Sequence, residues 1–578
     1  MFFLKINDAI LRLLSPLVPM YAHCLLFVAI LFLFVRVFFS LDFTDEMQHI
    51  GEMISLAENE AFFKSDYFLQ QLGYFFIYPL LKMYHYIFPD WTYFVLFNRF
   101  LLASLILMAA LAVYRSVCRV GENKVAALLS AAMVICIPHS SIMSLHYNSV
   151  SIILCIFLVI SWYELEKSNS NSIIQAVLLT ALFFVYPVLA VAGAILISVD
   201  LLIRKEIKQL VFTGGTSLLL TVFVIWLMFG LGFIDSYKHL LESVEFTRSF
   251  EVGTKILRWD NLLQLFFVIF VTVFSFALIY WSWLRGFVVN IIFSIKDNYI
   301  FWFLGLSAFS VLLFKSSIYL HTAVFIKYLF LFAMISSAIL LTDEKLRIYI
   351  VRLISAGLLF SLSYSITSGN GMFNFGLGAG AVLPTLIGIG CLAHNNILRE
   401  KGKFHLLDFI LLCLPIFIIV SALLHPYRES PVWKLTSQIE NAPVFQGILT
   451  TPEKNELASK VIEQLGSVKQ DKTIIVLGPQ PWMYFTTPAQ IHTPMLFMHF
   501  PDSEETLEFV ARKIASAAKP DVIVIVEQLP KSIAREIQQI LNAGYSCSTA
   551  LLDEDLIVRY RYASTRQFPA DFLVCKKG

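Results

Sequence analysis

Long apolar runs divide this sequence, and they restrict the chain to a few architectures. A helix that crosses a bilayer needs about 20 mostly apolar residues. We predict thirteen membrane-spanning helices, at residues 19–40, 93–114, 125–138, 149–163, 173–187, 188–203, 210–231, 262–284, 300–314, 320–341, 349–367, 377–394 and 405–424. Hydrophobic residues make up 58% of the chain and charged residues only 15%, against about 25% charged in soluble domains. This composition excludes soluble, disordered, fibrous and disulfide-scaffold proteins, and the net charge of +2 gives no indication of nucleic-acid binding.

Charged residues are unevenly distributed along the chain. Residues 425–578 contain 33 of them, about 21% of that segment, whereas residues 1–424 contain 51, about 12%. The shift predicts a transmembrane catalytic domain over residues 1–424, with an outer-surface loop at 41–92, and a soluble domain over residues 425–578.

Basic residues predict which side each loop faces. They precede the first predicted span and follow the second, sixth, eighth, tenth and twelfth: Lys5, Arg12; Arg115, Arg119, Lys124; Arg204, Lys205, Lys208; Arg285, Lys296; Lys345, Arg347, Arg352; Arg399, Lys401, Lys403. All lie on one side if the N-terminus is cytoplasmic. No small-residue cleavage site follows the first run, which predicts an uncleaved first span. An odd number of spans then places residues 425–578 outside the cytoplasm.

The soluble segment has an α/β pattern. Its predicted strands are Thr473–Leu477, Asp521–Val526, Leu556–Tyr562 and Phe572–Cys575. Its predicted helices are Ser503–Ala518, with Ser503 as the N-cap, and Ser532–Ala543. In an oxidising compartment Cys547 and Cys575 could form one disulfide. The segment shows no catalytic constellation, and we expect it to cap the acceptor side of the molecule.

The first outside loop contains the most informative polar residues. It has eight acidic residues and two basic ones. Asp45 and Glu46 follow the first span directly and predict a helix start, with Thr44 as its N-cap. Asp45, His49 and Glu52 have i, i+4, i+7 spacing, so they lie on one face of that helix. Two interpretations remain open here: a charged first turn, or a site that holds a base or a divalent cation.

Three further features lie near the predicted outer surface. Arg99 and Lys327 are charged residues inside apolar runs, which indicates either a functional site or a side chain that reaches the interface. The glycine-rich segment Ser368–Gly380 indicates either backbone amides that approach a phosphate or sugar, or a flexible connector. An aromatic run indicates either an amphipathic helix on the bilayer or an interface belt; its members are Phe62, Phe63, Tyr67, Phe68, Tyr74, Phe75, Phe76 and Tyr78.

The order of these motifs resembles the polytopic C-type glycosyltransferases that use a polyprenyl-phosphate sugar donor. This group includes bacterial aminoarabinose transferases and protein O-mannosyltransferases. The resemblance rests on five features: Asp45-Glu46 after the first span, the amphipathic region that follows, Tyr78-Pro79-Leu80, Asn98-Arg99-Phe100, and about 13 spans before an extracytoplasmic α/β domain.

The resemblance and the chemistry of sugar transfer together imply roles for particular residues. An acceptor hydroxyl or amine must lose a proton, so Asp45 is the expected catalytic base, with Glu46 as the alternative. The donor phosphate needs cationic or hydrogen-bonding partners, and the candidates are Arg99, Lys82, His85 and Lys327. Candidate acceptor or sugar contacts are His49, Glu52, His146, Asn148 and Asn370. No cofactor is indicated other than a divalent cation, whose ligands the sequence does not identify.

Two positions depart from the family pattern. Members often have a lysine directly before the proline step, where this chain has Tyr78, with Lys82 as the nearest lysine. Many members also have a carboxylate in the second outside loop. Here Pro138–Val150 contains no carboxylate, and Asn148 stands as a hydrogen-bonding residue instead.

The expected function is transfer of a sugar from a polyprenyl-phosphate donor to an envelope glycan such as lipopolysaccharide, a lipid or a protein. The expected location is the bacterial inner membrane, with the soluble domain in the periplasm. Two alternatives remain open: a glycan ligase or polymerase that uses a diphosphate-linked donor, and a transporter or lipid flippase. A transporter typically shows paired half-sequences or ionisable residues near the middle of the bilayer. No repeat is visible, and the embedded charges lie near the outer ends of their spans, which favours the enzyme.

Overall fold

The fold is known from a computed structural model of the chain. It describes residues 18–59, 62, 69–121, 123–137, 142–163, 169–231, 233, 239–240, 242–244, 259–294, 323–339, 341, 344–368, 371–399, 406–424, 426, 429–465, 468–469, 471–491, 504–516, 519–527, 529–542, 544–563 and 568–578.

The described chain is mostly helical, with a small sheet near its C-terminus. Its α-helices are Val18–Phe38, Asp45–Asn59, Tyr78–Ile87, Phe94–Gly121, Lys124–Cys136, Tyr147–Tyr163, Asn169–Val185, Pro187–Ile203, Ile207–Gly230, Trp259–Tyr280, Ser282–Ser294, Ala323–Ile339, Glu344–Thr367, Phe375–Gly380, Leu383–Arg399, Leu406–Leu424, Pro452–Leu465, Glu504–Ser516, Lys531–Leu541 and Glu554–Ala563. Short 3₁₀ helices are Leu69–Ile77, Gly371–Asn374, Val432–Lys434, Pro443–Phe445 and Pro481–Thr486.

Several helices have the length and apolarity that a bilayer requires. Within the described residues five meet both criteria: Pro19–Phe38, Phe94–Gly121, Ile207–Gly230, Asn261–Tyr280 and Glu344–Thr367. A sixth span results if Gly371–Gly380 and Leu383–Leu392, which meet at a bend of 56°, are counted together. Twelve of the thirteen predicted runs fall on helices, although several of these helices are only 10–17 residues long. The remaining run, 300–314, lies outside the described residues.

The glycine-rich segment is packed inside the bundle, so its interpretation as an outside flexible connector is wrong. Gly371 to Gly380 are nearly all buried, in a 3₁₀ turn and a short helix. A Cβ atom on Gly376 would lie 1.7 Å from the Ala323 carbonyl oxygen, and one on Gly378 would lie 2.4 Å from the Phe360 backbone. These glycines allow neighbouring helices to approach more closely than any side chain permits.

The aromatic run is also largely internal. Phe62, Tyr74, Phe75 and Tyr78 are buried, and Phe76 is exposed. Phe233, from a later loop, lies 5.0 Å from the rings of both Phe62 and Tyr78 and 6.0 Å from that of Phe75. These side chains therefore belong to a hydrophobic core, and neither surface interpretation describes them. Phe63, Tyr67 and Phe68 lie outside the described residues.

The C-terminal sheet has five strands in the order β2-β1-β3-β5-β4. They are β1 Thr473–Leu477, β2 Gln490–Ile491, β3 Val522–Ile525, β4 Tyr545–Leu551 and β5 Asp571–Lys577. β1 pairs in parallel with β2 and β3, whereas β5 is antiparallel to β3 and β4. The predictions at β1, β3 and β5 are confirmed, as are both predicted helices, although Ser503 itself lies outside the described residues.

One strand prediction is wrong, and two strands, β2 and β4, were not predicted. Leu556–Tyr562 belongs to the helix Glu554–Ala563, whose first turn contains Glu554 and Asp555. Acidic residues in a first turn favour a helix. β4 was missed because it is largely exposed and carries Ser, Cys and Thr rather than an apolar run. Cys547 of β4 faces Cys575 of β5 in register, and the two form the predicted disulfide.

Three hydrophobic cores organise the described chain. One lies among the apolar helices of the bundle. The second joins Asp45–Asn59, hereafter the site helix, to the C-terminal region, here defined as residues 429–578. The third lies within that region, between the sheet and the helices Glu504–Ser516 and Lys531–Leu541. Met47, Ile50 and Met53 of the site helix share this second core with Phe445 and Trp482. The site helix therefore packs into the same core as the C-terminal sheet.

Candidate functional site

The site helix begins with a carboxylate from the preceding turn. Asp42 accepts hydrogen bonds from the Glu46 backbone N–H at 3.1 Å and from the Thr44 hydroxyl at 2.8 Å. The Asp42 N–H in turn donates to the Glu46 carboxylate at 3.3 Å. This reciprocal arrangement satisfies first-turn donors as a capping box does. Thr44 directly precedes the helix, as predicted, but the carboxylate that accepts from the first-turn amide belongs to Asp42.

Glu46 and Arg99 form a buried ion pair beside that helix start. The Arg99 Nε and Nη2 atoms lie 2.8 and 2.7 Å from the two Glu46 carboxylate oxygens. Nη1 donates to the carbonyls of Val37 and Phe39, both at 3.1 Å, and Nη2 also donates to the Ser40 carbonyl. A guanidinium has five N–H groups, so this chain already accepts from all five. Arg99 thereby joins the end of the first helix to the start of the site helix.

The charge state of this pair follows from its surroundings. Burial raises the pKa of the Glu46 carboxyl above its ordinary value, and the Arg99 guanidinium opposes that rise. Arginine remains protonated in proteins. A neutral Glu46 would leave that charge buried without an anion, so we assign the pair as ionic.

A second polar cluster lies one turn further along the site helix. His49 Nδ1 is 3.2 Å from a Glu52 carboxylate oxygen, and the Tyr74 hydroxyl donates to the same oxygen at 3.0 Å. The other Glu52 oxygen accepts from Gln48 Nε2 at 3.2 Å. His49 and Glu52 are both more than 90% buried. The predicted i, i+4, i+7 spacing thus brings His49 and Glu52 into direct contact.

The segment that leads into the helix Tyr147–Tyr163 meets this cluster. The His146 ring stacks on the His49 ring with centroids 4.9 Å apart, and the Tyr147 ring meets His49 edge-on at 5.7 Å. His146 Nδ1 accepts from the Asn148 backbone N–H at 3.1 Å, so a neutral His146 carries its proton on Nε2. Asn98, one residue before Arg99, accepts from the Leu145 N–H at 2.7 Å and so holds the loop in place.

Exposure separates the members of this site into two layers. Asp45, Tyr147 and Asn148 are partly exposed, whereas His49, Glu52 and His146 are buried behind them. Asp45 and Glu52 are both near enough to the Tyr147 hydroxyl to act on it electrostatically. The arrangement places an accessible carboxylate in front of a buried histidine–carboxylate network, which suits proton abstraction. Within the described chain no group of three or more His, Cys, Asp or Glu side chains is placed to hold a metal ion.

The predicted phosphate-binding residues lie at separate places. Lys82 donates to the Ala57 carbonyl at 3.1 Å, near the last turn of the site helix. Ala57 is twelve residues after Asp45, which corresponds to about 18 Å along a helix. His85 stacks on Trp91 at 4.6 Å, in the same neighbourhood.

Lys327 belongs to a different helix, and its Nζ atom donates to Gln264 Oε1 at 2.5 Å. No hydrogen bond or ion pair in the described chain joins any two of the four predicted phosphate contacts. Asn370, a predicted acceptor contact, lies outside the described residues.

Arg36 is a cation that the sequence reasoning missed. It lies in the last turn of the first helix and lines a cavity with Asp42, Glu46 and Arg99. The apolar walls of that cavity include Phe32 and Val35 of the first helix and Ala422 and Leu423 of Leu406–Leu424. Arg36, like Arg99, is a charged residue near one end of an apolar run, and such a position in the sequence indicates a functional site.

Comparisons with known proteins give no assignment for this site. No protein-family model matches the chain, and no curated protein matches it. The family resemblance therefore rests on the motifs and their order alone.

Proposed function

We propose that this protein is a membrane glycosyltransferase. It moves a sugar from a polyprenyl-phosphate donor to a glycan, lipid or protein acceptor outside the cytoplasm. The observation that carries the proposal is the partly exposed Asp45 at the start of the site helix, directly after the first apolar helix and in front of the His49–Glu52–His146 cluster. A lipid-borne substrate would meet the protein at this level.

Asp45 acts as the general base in this proposal. It takes the proton from the acceptor hydroxyl or amine as that group attacks the anomeric carbon. The carbon–oxygen bond to the carrier phosphate breaks in the same step, the polyprenyl phosphate leaves with the bonding electrons, and the anomeric configuration inverts. Tyr147 and Asn148 flank the reacting groups. His49 and Glu52 hold the polar network behind them.

The donor phosphate is assigned to the cavity that Arg36 lines. Its apolar walls suit a polyprenyl chain, and a guanidinium is a good phosphate ligand. Arg99 is fully engaged by this chain, so in this proposal it neutralises Glu46 and fixes the site helix. Lys82, His85 and Lys327 are less favoured, because they lie at separate places.

The proposed topology has 13 spans, a cytoplasmic N-terminus and a C-terminal region in the periplasm of a bacterial inner membrane. The alternation of basic loops supports it. The disulfide between Cys547 and Cys575 adds support, because such bonds persist in oxidising compartments.

The test is sugar transfer in membranes that contain either the wild-type chain or Asp45→Asn. Mass spectrometry of the lipid, polysaccharide and protein fractions identifies the acceptor. We expect one sugar-sized mass addition with the wild type, and its loss with Asp45→Asn at equal protein level. A fully active Asp45→Asn variant would refute the assignment of the base.

Wild-type membranes that modify no fraction would refute the glycosyltransferase and favour the transporter or flippase. Transfer that requires a diphosphate-linked donor would instead favour the ligase or polymerase.

A further inference from the structure

The chain that leaves the first helix is bound to the C-terminal region by its backbone. Phe39 and Leu449 form a parallel bridge. The Leu449 N–H donates to the Phe38 carbonyl at 2.7 Å, and the Ser40 N–H donates to the Leu449 carbonyl at 3.0 Å. Residues 38–40 thus pair with a segment more than 400 residues later, just before the site helix begins.

Leu41 is held at both of its backbone polar groups by a buried ion pair. Its N–H donates to Glu429 Oε2 at 3.0 Å, and its carbonyl accepts from Lys454 Nζ at 2.6 Å. Lys454 Nζ is also 3.0 Å from Glu429 Oε1. Both side chains are at most 1% exposed. One residue of the segment that leads to Asp45 therefore has its position fixed from two sides.

Phe43 provides a third attachment. Its ring stacks on Trp482 with centroids 4.3 Å apart and planes at 16°. The Lys454 ammonium lies 5.2 Å from the centroid of the same Phe43 ring. Trp482 is fully buried, so this contact belongs to the core.

The ion pair between Glu429 and Lys454 is informative, because a buried ion pair contributes little to the free energy of folding by itself. Removing two charges from water is costly, and apolar replacements of similar size are often neutral or stabilising. Apolar side chains could not donate to the Leu41 carbonyl or accept from its N–H. The pair provides a fixed backbone position four residues before Asp45.

We propose that Glu429 and Lys454 are positioning residues, which act through Leu41 to hold Asp45 at its working place. The inference rests on the proposed function. The C-terminal region is accordingly part of the catalytic site's framework as well as a cap on the acceptor side. A displacement of about 1 Å at a reacting group lowers a rate by about 10²-fold.

The test uses the full-length chain with the double substitution Glu429→Gln and Lys454→Met. It removes both charges together, so no buried charge is left without a partner. Arg559→Met is the matched control, because Arg559 forms an exposed ion pair with Glu456 at 3.0 Å in the same region. Three quantities are measured on each purified protein: kcat and donor KM for sugar transfer, the thermal midpoint, and amide hydrogen exchange of peptides that cover residues 39–48.

We expect the double variant to keep its thermal midpoint and donor KM while kcat falls by about 10²-fold. Exchange within residues 39–48 should become faster, and the control should match the wild type. A folded double variant with wild-type kcat would overturn the inference. If the wild type transfers no sugar, the proposed function fails, and amide hydrogen exchange in the double variant then tests the positioning role by itself. Unchanged exchange in residues 39–48 would refute that role, and faster exchange would support it.

Discussion

Asp45 and Glu46 are neighbours in the sequence, yet they have opposite environments. Glu46 is buried, accepts two hydrogen bonds from Arg99, and is covered by the end of the first helix. Asp45 is partly exposed. Successive residues of a helix point about 100° apart, so one first turn presents a carboxylate to each environment.

The different environments give the two carboxylates of the Asp45-Glu46 motif different tasks. A carboxylate whose partners are all supplied by the protein fixes the helix. A carboxylate with an accessible face can accept a substrate proton. Four substitutions test this division of tasks, in order of decreasing expected effect.

The largest effect should follow Glu46→Gln. The substitution leaves the Arg99 guanidinium buried without an anion, which costs about 3–5 kcal/mol. We expect a large loss of folded protein and a lower thermal midpoint in detergent. Glu456→Gln is the control, because its pair with Arg559 is exposed to solvent and contributes little to stability. Equal midpoints for the two variants would refute a structural role for Glu46.

Arg36→Met should weaken donor binding. A hydrogen bond to a charged group contributes about 1.5–3 kcal/mol, so the donor KM should rise by about tenfold or more. Lys82→Met is the comparison, because Lys82 contacts the opposite end of the site helix. A rise in donor KM with Lys82→Met and none with Arg36→Met would indicate that the donor phosphate binds near Lys82 and not beside the first helix.

His49→Asn should have a smaller effect on kcat, about tenfold, because His49 supports the site from behind Asp45. Loss of one hydrogen bond to a carboxylate costs about 1.5–3 kcal/mol, so we expect a lower thermal midpoint in a chain that still folds. Steady-state kinetics and a thermal midpoint measure both quantities. A loss of activity as large as that of Asp45→Asn would make His49, rather than Asp45, the candidate base.

The smallest effect concerns the C-terminal sheet. The hydrogen bond from the Thr473 backbone N–H, at 2.9 Å, holds the pKa of Asp521 below its ordinary value. A carboxylate with a lowered folded-state pKa stabilises the protein above its unfolded-state pKa of about 3.9 and loses that effect as the pH falls. The thermal midpoint should therefore fall less steeply below about pH 4 in Asp521→Asn. The prediction would be contradicted if the thermal midpoints of the wild type and of Asp521→Asn had the same dependence on pH.

The parts of the fold predicted from sequence are those with strong local patterns. Apolar runs predicted helices along the bundle, and β-branched runs predicted β1 and β3. β4 escaped prediction because an exposed edge strand has no apolar pattern. The burial of Gly376 and Gly378 was missed because a glycine sequence looks the same in a loop and at a close helix contact.

The candidate site was predictable along the site helix but not across the chain. Helical spacing was sufficient to group His49 with Glu52. The contact of Arg99 with Glu46 joins residues 53 positions apart, and that of Lys454 with Leu41 joins residues 413 apart. Local periodicity carries no information about such contacts, which arise only when helices and the C-terminal region pack together.

The most direct test is a paired measurement on purified Asp45→Asn and Glu46→Gln, in which transfer rate and thermal midpoint are determined on the same preparations. Asp45→Asn should keep the wild-type midpoint and lose about 10²–10⁴-fold in rate, the usual contribution of a general base. Glu46→Gln should lower the midpoint, while the fraction that remains folded retains measurable transfer. The reverse pattern, with an active Asp45→Asn and a stable but inactive Glu46→Gln, would contradict the account.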